Sequence, residues 1–335
     1  LALFSGGLDS LLSMKLIQEA GVEVEGVYFL QPFFHMETEK HLLSNIQQLI
    51  SQINVKLHIF RLDEDYLRML ESPRYGYGKA FNPCLDCHIF FLRKAKEMMH
   101  EIGASFLVTG EVLGQRPKSQ YKGAFPLIDR EVGLEGYIVR PLSAPLLPKT
   151  IPELKGWISL DHCPGIHGRS RKIQLELAKK YGFFYHTPAG GCFLTNEDFS
   201  KRIHDLLVNE GRLSIESIRL LSLGRHFRFS PAFKAVIGRQ EKENRIILRY
   251  FYQHRRQPNL LLLRSSKEPG PLALGCGSPS EENLHDLACL TARYSDLREG
   301  QATVARAIFS GEKHRRWEKV IVVTKNLPLL EKYRI

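Results

Sequence analysis

Apolar residues recur with alternating strand and helix periods from the start of the chain. Leu1–Phe4 predicts a short strand, and Val22–Leu30 and Lys56–Leu62 predict two more. Between them, residues 8–20 place apolar side chains on one helical face, and residues 38–53 repeat that period. Strands that alternate with helices favour an α/β fold, with a parallel sheet covered by helices on both faces.

The same alternation continues to about residue 210. A polar segment leads to Pro83, and a stretch rich in Pro and Gly interrupts the later part. The pattern predicts a helix from about Cys87 to Ile102 and a strand Ser105–Thr109, followed by functional loops over 111–165. It then predicts a helix over about 169–181 that ends at Gly182, and a last strand Phe183–His186. A final helix runs from the N-cap Asn196 to about Glu210.

The composition of the chain and the type of its predicted elements change from about residue 213. Short β-rich runs appear at Ala235–Ile237, Leu260–Leu263 and Lys319–Thr324, and basic residues become dense. We therefore place a domain boundary between 205 and 220. The prediction is a first domain over 1–210 and a smaller basic α+β domain over 215–335, within a chain of 335 residues.

Charge is distributed unevenly between the two halves. Residues 1–200 carry 22 basic and 22 acidic side chains, whereas residues 201–335 carry 25 and 14, which accounts for the net charge of +11. Such asymmetry indicates that the second half meets a polyanion, and the alternative is a solubilising surface charge. The sequence shows no uninterrupted apolar run long enough for a membrane span and no signal peptide, so we expect no membrane partner and a cytoplasmic location.

A glycine-rich loop joins the first strand to the first helix. Ser5-Gly6-Gly7-Leu8-Asp9-Ser10 offers backbone N–H groups and a helix N-terminus to an anion, and the Ser5 and Ser10 hydroxyls add donors. Asp9 suits a loop that also holds Mg²⁺ or orients a nucleotide. The loop follows neither the Walker pattern nor the dinucleotide fingerprint.

Three of the six cysteines stand in contexts that suggest chemistry. Cys84 and Cys87 form a C-x-x-C at a predicted helix start, where the helix N-terminus favours thiolates. Cys192 ends a glycine-rich loop after the predicted last strand, so it is expected to converge with them near the phosphate loop. The set predicts a 4Fe-4S cluster with one open iron; zinc with a fourth ligand such as His88, or cluster-free persulfide chemistry, are the alternatives.

The loop at Ser5–Ser10 resembles the signature of the PP-loop ATP pyrophosphatase superfamily. Thr109–Gln115 resembles the TGE-x-LGQ segment of 4-thiouridine synthetases, and Arg140-Pro141-Leu142 resembles their RPL segment. The C-x-x-C followed by Gly191-Cys192-Phe193 resembles the tRNA 2-thiouridylases. This resemblance, over about residues 1–205, implies ATP binding and tRNA thiolation. It implies ATP contacts at Ser5, Gly6, Gly7, Asp9, Ser10 and Gly110, catalytic roles for Asp9, Cys84 and Cys192, and cluster ligands at Cys84, Cys87 and Cys192.

The second half resembles the NFACT-R type of RNA-binding module over about residues 215–330. The similarity rests on Gly224–Arg228 and on the segment from Ile237 to Asn244. It implies RNA contacts from Arg225, Arg228 and Arg239, with Phe227 either stacked on a base or packed in the core. In the first domain, Lys118 and Arg171 are further candidate contacts to tRNA or phosphate.

The resulting hypothesis is an ATP-dependent tRNA thiolation enzyme that adenylates a nucleobase carbonyl and replaces its oxygen with sulfur. The longer 4-thiouridine synthetases also carry an N-terminal RNA-binding domain and a rhodanese domain, and neither is visible in the sequence. Free sulfide or a persulfide derived from a cysteine desulfurase is therefore the expected sulfur donor. The competing hypotheses are a PP-loop enzyme that adenylates a small molecule, and an RNA-binding quality-control factor with a vestigial nucleotide domain.

Overall fold

The computed structural model divides the chain into two compact units, Leu1–Asn196 and Glu197–Ile335. It describes residues 1–34, 36–185, 192–255, 257, 259–296, 301–310, 314–324 and 332–335, without the side chains of 36–37, 301–302, 308–310 and 314–324. None of the helices in these ranges combines the length and the apolar character that a membrane span requires. Each unit contains its own sheet.

The first unit is built on a five-stranded parallel sheet with the strand order β3-β2-β1-β4-β5. The predicted fold class is therefore confirmed. Its strands are β1 (Ala2–Leu3), β2 (Glu25–Leu30), β3 (Lys56–Arg61), β4 (Leu107–Val108) and β5 (Ile138–Val139). Its helices are α1 (Leu8–Glu19), α2 (Met36–Ile50), α3 (Glu64–Glu71), α4 (Cys84–Glu101), α5 (Ala124–Val132), α6 (Ile151–Leu154) and α7 (Lys172–Tyr181).

Alternate residues of the buried strands fill two cores, one on each face of the sheet. On β2, Tyr28 and Leu30 pack in the core formed with α1, α2 and α7, whereas Val27 packs in the core formed with α4 and α5. This alternation follows from the two-residue period of a strand. The strands β1, β4 and β5 are apolar, as expected for a parallel sheet covered on both faces, whereas the edge strand β3 carries Lys56, His58 and Arg61.

A stretch predicted as loops contains regular elements, and a polar stretch for which no element was predicted contains a helix. The segment 111–165, predicted as loops, contains α5, β5 and α6, and β5 is an edge strand of the sheet. The polar segment before Pro83 contains α3, which begins after the N-cap Asp63 and buries Tyr66 and Leu67. The loop prediction for 111–165 was wrong because α5, β5 and α6 are short and lie within a stretch rich in Pro and Gly.

The last elements of the first unit differ from the predicted ones. Residues 183–185 do not form the predicted strand, and His186 to Gly191 lie outside the described residues. The predicted boundary between 205 and 220 lies beyond most of α8 (Glu197–Glu210), a helix that belongs to the second unit. The Arg202 Nη1 of α8 donates to the backbone oxygen of Leu221 at 2.7 Å, which attaches this helix to the second unit.

The second unit is an antiparallel sheet with the strand order β11-β10-β8-β9-β7-β6. The alternating faces of its strands pack on α11 on one side and on α9 and α10 on the other. The strands are β6 (Arg225–Ser230), β7 (Phe233–Ile237), β8 (Leu260–Ser265), β9 (Ala273–Gly277), β10 (Gln301–Ser310) and β11 (His314–Thr324); the helices are α9 (Ile215–Leu221), α10 (Glu241–Gln253) and α11 (Glu281–Arg293).

Candidate active site

The glycine-rich loop connects β1 to α1 and leaves the helix N-terminus open. Gly7 is the N-cap residue and provides no side chain that could accept from the first N–H groups of the helix. The loop is instead stabilised by Ser10, whose hydroxyl donates to the Gly7 oxygen at 2.8 Å and accepts from the Ser5 amide at 3.2 Å. Exposed N–H groups at a helix N-terminus form an anion site.

Two glycines permit the close approach that shapes this loop. Gly6 has a φ of +74°, and a Cβ there would lie 2.5 Å from Ile46 Cδ1. Gly110, just after β4, would place a Cβ only 2.6 Å from the Ser10 amide nitrogen. Gly110 is therefore required for packing against the loop backbone, which explains its place in the site.

Asp9 lies at the centre of a polar group above the loop. Its Oδ2 accepts from Gln115 Nε2 at 2.9 Å, and its Oδ1 lies 3.6 Å from an Arg171 guanidinium nitrogen. Three atoms of this group are buried and lack a hydrogen-bond partner within the described part of the chain: Asp9 Oδ1, Gln115 Oε1 and Arg171 Nε. Buried polar atoms are normally satisfied, so this group has the chemistry to bind a charged ligand.

Cys84 is the first residue of α4, and His88 follows it one turn later on the same helical face. The Cys84 Sγ lies 3.2 Å from the Ser119 Oγ, and His88 interacts electrostatically with the thiol. Burial by itself raises the pKa of the Cys84 thiol. The hydrogen bond and charge of His88, with the hydrogen bond of Ser119, outweigh burial and lower that pKa below its ordinary value.

His88 is held by a buried carboxylate. Its Nδ1 lies 2.8 Å from Glu111 Oε1, and Arg140 Nε donates to Glu111 Oε2 at 2.8 Å. Although burial lowers the pKa of His88, its hydrogen bonds and charge interactions with Cys84 and Glu111 raise it to about 9. Burial likewise opposes ionisation of Glu111, but Arg140 and His88 lower its pKa to about 2. His88 and Glu111 are therefore both charged at neutral pH.

Arg140 itself is fixed on its other side. Its guanidinium donates two hydrogen bonds to Asp129, at 3.1 and 2.7 Å, and lies 4.2 Å from the ring centroid of Phe125. The Thr109 hydroxyl completes the coordination of Glu111 with a 3.1 Å hydrogen bond. A forked arginine–carboxylate pair has a defined geometry, so Glu111 and His88 have little freedom to turn away from Cys84.

The other two thiols differ from Cys84 in their protonation. Cys87 is buried and lies 3.7 Å from the Tyr66 hydroxyl, and burial raises its pKa. Burial also raises the pKa of Cys192, which precedes a short 3-10 turn. The charges of Cys84 and Cys192 add to the shift of Cys87, so all three thiols lie within electrostatic range of one another.

The cluster hypothesis requires three ligands in a common metal-binding arrangement. Within the residues that the structure describes, no group of three His, Cys, Asp or Glu side chains has that arrangement. Cys87 instead interacts with Tyr66, and Cys84 with His88 and Ser119. The described arrangement thus fits a reactive thiol beside two protonated ones better than it fits a cluster.

One short segment joins the thiol site to the phosphate loop. From Gly110 to Gln115 the chain packs on Ser10, binds His88 through Glu111, and reaches Asp9 through Gln115. The loop and the thiol therefore share one wall at the carboxyl end of β4, the edge where open α/β sheets bind ligands. The structure places the predicted residues Asp9, Gly110 and Cys84 around this segment.

Two of the RNA contacts predicted for the second unit have internal structural partners. Arg228 donates to both carboxylate oxygens of Asp205 and also pairs with Glu210. Phe227 is fully buried, so the base-stacking interpretation is wrong and the core interpretation is confirmed. Arg225 lies 4.3 Å from the centroid of the Tyr294 ring.

The remaining predicted contacts occupy varied positions. Arg239 is exposed, and its backbone N–H donates to Glu243 at 2.6 Å. Exposed Lys118 donates to the Tyr77 oxygen at 3.1 Å. Arg171, a candidate contact to tRNA or phosphate, lies at the phosphate loop beside Asp9 rather than on an open surface.

The sequence interpretation missed the roles of the residues that support the thiol. His88 was considered only as a zinc ligand, and Glu111 and Arg140 entered only through short motifs. The i,i+4 spacing of Cys84 and His88 was the available signal, since these positions share a helical face. The buried salt bridge between Glu111 and Arg140 joins residues 29 positions apart and leaves no local pattern.

Comparison with known proteins gives a different relative for each unit. Residues 1–144 match the family described as thiamine biosynthesis protein (ThiI), and residues 224–328 match the NFACT protein RNA binding domain. The first unit resembles the tRNA-thiolating branch of the PP-loop proteins. Both resemblances stated from the sequence are thereby confirmed.

Curated relatives match parts of the chain. A tRNA-specific 2-thiouridylase MnmA of Campylobacter lari is 31% identical over 117 residues, which cover 33% of this chain and 33% of the relative. One from Sulfurimonas denitrificans is 28% identical and covers 44% and 42%. A probable tRNA sulfurtransferase of a Thermoanaerobacter species is 29% identical and covers 34% and 29%. The chain thus spans less than half the length of these relatives.

Among solved structures, a 4-thiouridine synthetase–RNA complex with bound ATP has a TM-score of 0.37 and 22% identity, covering 54% of this chain and 39% of that one. The U34-tRNA thiolase NcsA from Methanococcus maripaludis with its [4Fe-4S] cluster has a TM-score of 0.32 and 17% identity, covering 66% and 71%. At such scores neither likeness carries an argument.

Proposed function

We propose that the chain is a cytoplasmic, ATP-dependent tRNA sulfurtransferase that adenylates a nucleobase carbonyl and replaces its oxygen with sulfur. The observation that carries the proposal is the shared wall from Gly110 to Gln115, which places an activated thiol beside an anion-binding loop. The names of the curated relatives, tRNA-specific 2-thiouridylase and probable tRNA sulfurtransferase, support the same reaction.

The phosphate loop has groups that suit ATP. The α1 N-terminus and the loop amides would bind the phosphates. The Arg171 guanidinium Nε, which has no hydrogen-bond partner among the described residues, would donate to one of them. Asp9 Oδ1, which lacks a hydrogen bond in the described part of the chain, is an oxygen of the kind that Mg²⁺ prefers. When bound there, ATP supplies the adenylyl group that converts the carbonyl oxygen into a good leaving group. Gln115 orients Asp9 through its 2.9 Å hydrogen bond.

The thiols then divide the sulfur chemistry between them. A persulfide donor transfers its outer sulfur to Cys192, and the donor leaves as a thiol. The terminal sulfur on Cys192 attacks the activated carbon, and AMP leaves with the former carbonyl oxygen. The Cys84 thiolate, maintained by His88, attacks the Cys192 sulfur and releases the thiolated base, so that a Cys84–Cys192 disulfide forms. A cellular dithiol must reduce this disulfide before the next turnover.

The predicted 4Fe-4S cluster remains a separate hypothesis about how sulfur is held. Among the described residues, no three His, Cys, Asp or Glu side chains are arranged as metal ligands, although the three thiols interact electrostatically. Anaerobic purification followed by iron and acid-labile sulfide analysis tests the two routes. The persulfide route predicts active protein without iron, whereas activity that depends on stoichiometric iron and is lost in Cys87→Ala would establish the cluster.

Pyrophosphate release from ATP, measured with and without tRNA, tests the proposed function. We expect release to require tRNA and to be abolished in Asp9→Ala. Cys192→Ala should retain release but give no thiolated nucleoside, because adenylation precedes sulfur transfer. Release that is equally fast without tRNA would contradict the proposal and favour a small-molecule substrate. No release under any condition would favour a quality-control factor with a vestigial nucleotide domain.

A further inference from the structure

The helix α10 presents two chemically different faces. Ile246, Ile247 and Phe251 are buried against the sheet of the second unit. The opposite face is exposed and cationic, with side chains at intervals of three or four residues that align them along the helix. These side chains are Lys242, Arg245 and Arg249, followed by Arg255 just beyond the helix end.

A surface hollow of about 500 Å³ lies along this face. Its lining contains three guanidinium groups, one phenol ring and no carboxylate: Arg245, Leu248, Arg249, Tyr252, Gln253 and Arg255. Guanidinium groups bind phosphate oxygens in pairs, and an aromatic ring beside them can stack on an unpaired base. This combination of guanidinium groups, aliphatic side-chain stems and a phenol ring is suited to a phosphodiester backbone with bases attached.

The acidic residues of α10 do not oppose such a ligand. Glu243 is turned inward, where it accepts from the backbone N–H groups of Gly224 at 3.0 Å and Arg239 at 2.6 Å. Glu241 pairs with Arg245, but both side chains are more than 70% exposed. Water weakens an exposed pair of this kind, so a phosphate can compete for the guanidinium.

Two other cations of the second unit, Arg228 and Lys234, are neutralised within the fold. Arg228 forms a forked pair with Asp205, and Lys234 donates to Glu210 at 2.5 Å. These residues therefore do not provide the positive charge that the second half offers to a polyanion. The α10 face places its charge on an accessible surface.

We propose that the outer face of α10 binds the sugar–phosphate backbone of tRNA, with Tyr252 against an unpaired base. The proposal rests on the proposed function and names the surface that recognises its substrate. It assigns tRNA recognition to residues other than Arg225, Arg228 and Arg239.

The test measures tRNA affinity of the full chain by fluorescence anisotropy over a range of salt concentrations. The double charge reversal Arg245→Glu with Arg249→Glu should weaken binding at least tenfold. Loss of two phosphate contacts should also reduce the slope of log K against log salt by on the order of 1.4. The matched control reverses two exposed lysines of the same unit, Lys201→Glu with Lys267→Glu, and should change affinity less than threefold.

Each outcome decides the proposal. Equal losses in the two double variants would overturn it, because charge alone would then explain binding. Displacement of tRNA by polyglutamate at equal charge would also overturn it, in favour of an acidic protein partner. Tyr252→Ala should weaken binding to a single-stranded RNA more than Tyr252→Phe, which keeps the ring. Wild-type protein that releases pyrophosphate but binds no tRNA would contradict the proposed function itself, whereas a failure of only the α10 variants would not.

Discussion

Glu111→Gln tests whether the buried carboxylate sets the charge of His88. Glu111 Oε1 lies 2.8 Å from His88 Nδ1, and its charge is a main cause of a His88 pKa of about 9. Glutamine keeps the shape of the side chain and removes that charge. We expect the His88 pKa to fall toward 6.5 or below, because burial then acts with less opposition.

The size of this change follows from the two pKa values. At a pH of about 8, a His88 pKa of about 9 leaves roughly nine-tenths of the rings protonated, whereas a pKa of 6.5 leaves about 3%. The full difference corresponds to about 3 kcal/mol of interaction. Loss of the imidazolium also removes a main cause of the lowered Cys84 pKa, so less Cys84 thiolate is expected.

The assay is an NMR titration of protein labelled with ¹³C-histidine, in which His88→Gln assigns the resonance. Glu131→Gln is the matched control, because Glu131 also accepts from arginines but does not contact His88. Alkylation of the Cys84 peptide, followed by mass spectrometry, reports the thiolate. A wild-type His88 that titrates near 6.5, or a Glu111→Gln protein with an unchanged His88 titration, would refute the reasoning. His88→Gln also tests Cys84 alkylation if Glu111→Gln does not fold.

Three further predictions concern packing and stability. Gly110→Ala should weaken ATP binding at least tenfold by isothermal titration, because the added Cβ would meet the phosphate-loop backbone. The control Gly165→Ala, whose Cβ would lie 3.6 Å from its nearest neighbour, should not weaken binding, and equal effects of the two changes would contradict the packing role. His88→Gln should lower the stability of the protein most below about pH 6.5, because the raised pKa of folded His88 stabilises the fold there. This difference in stability from wild type should disappear as the pH rises through about 9, and a pH-independent difference in Tm would contradict this. Arg228→Ala should destabilise the second unit by about 3 kcal/mol in urea unfolding, because it leaves Asp205 unpaired; full stability with weakened tRNA binding would instead make Arg228 a surface contact.

The sequence predicted the elements whose period is long and regular. Helix α1 and the strands β2 and β3 were found within a few residues, because their apolar residues follow the helix or strand period in the sequence. Helix α5 and strand β5 were missed, since their neighbours in sequence are rich in Pro and Gly and their burial depends on contacts with α4 and β4. Short elements of this kind are stabilised by tertiary packing rather than by their own periodicity.

The candidate site was predictable where a motif combines with local structure. The glycine loop carries its own signal, because the strand, the turn and the helix start are adjacent. The partnership of His88 with Glu111 could not be read in this way, since 23 residues separate them and only the fold brings them to 2.8 Å. The electrostatic interaction of Cys192 with Cys84 likewise joins residues far apart in sequence, so no local pattern predicts it.

We propose that this chain exchanges a nucleobase oxygen for sulfur through ATP activation. The most direct test of this proposal incubates purified protein with ATP, Mg²⁺, unmodified tRNA and an isotopically labelled persulfide donor, followed by mass spectrometry of the digested nucleosides. We expect one labelled thionucleoside, formed only with ATP and absent in Cys84→Ser and Cys192→Ser proteins. Labelled product without ATP, or undiminished product from both cysteine variants, would contradict it.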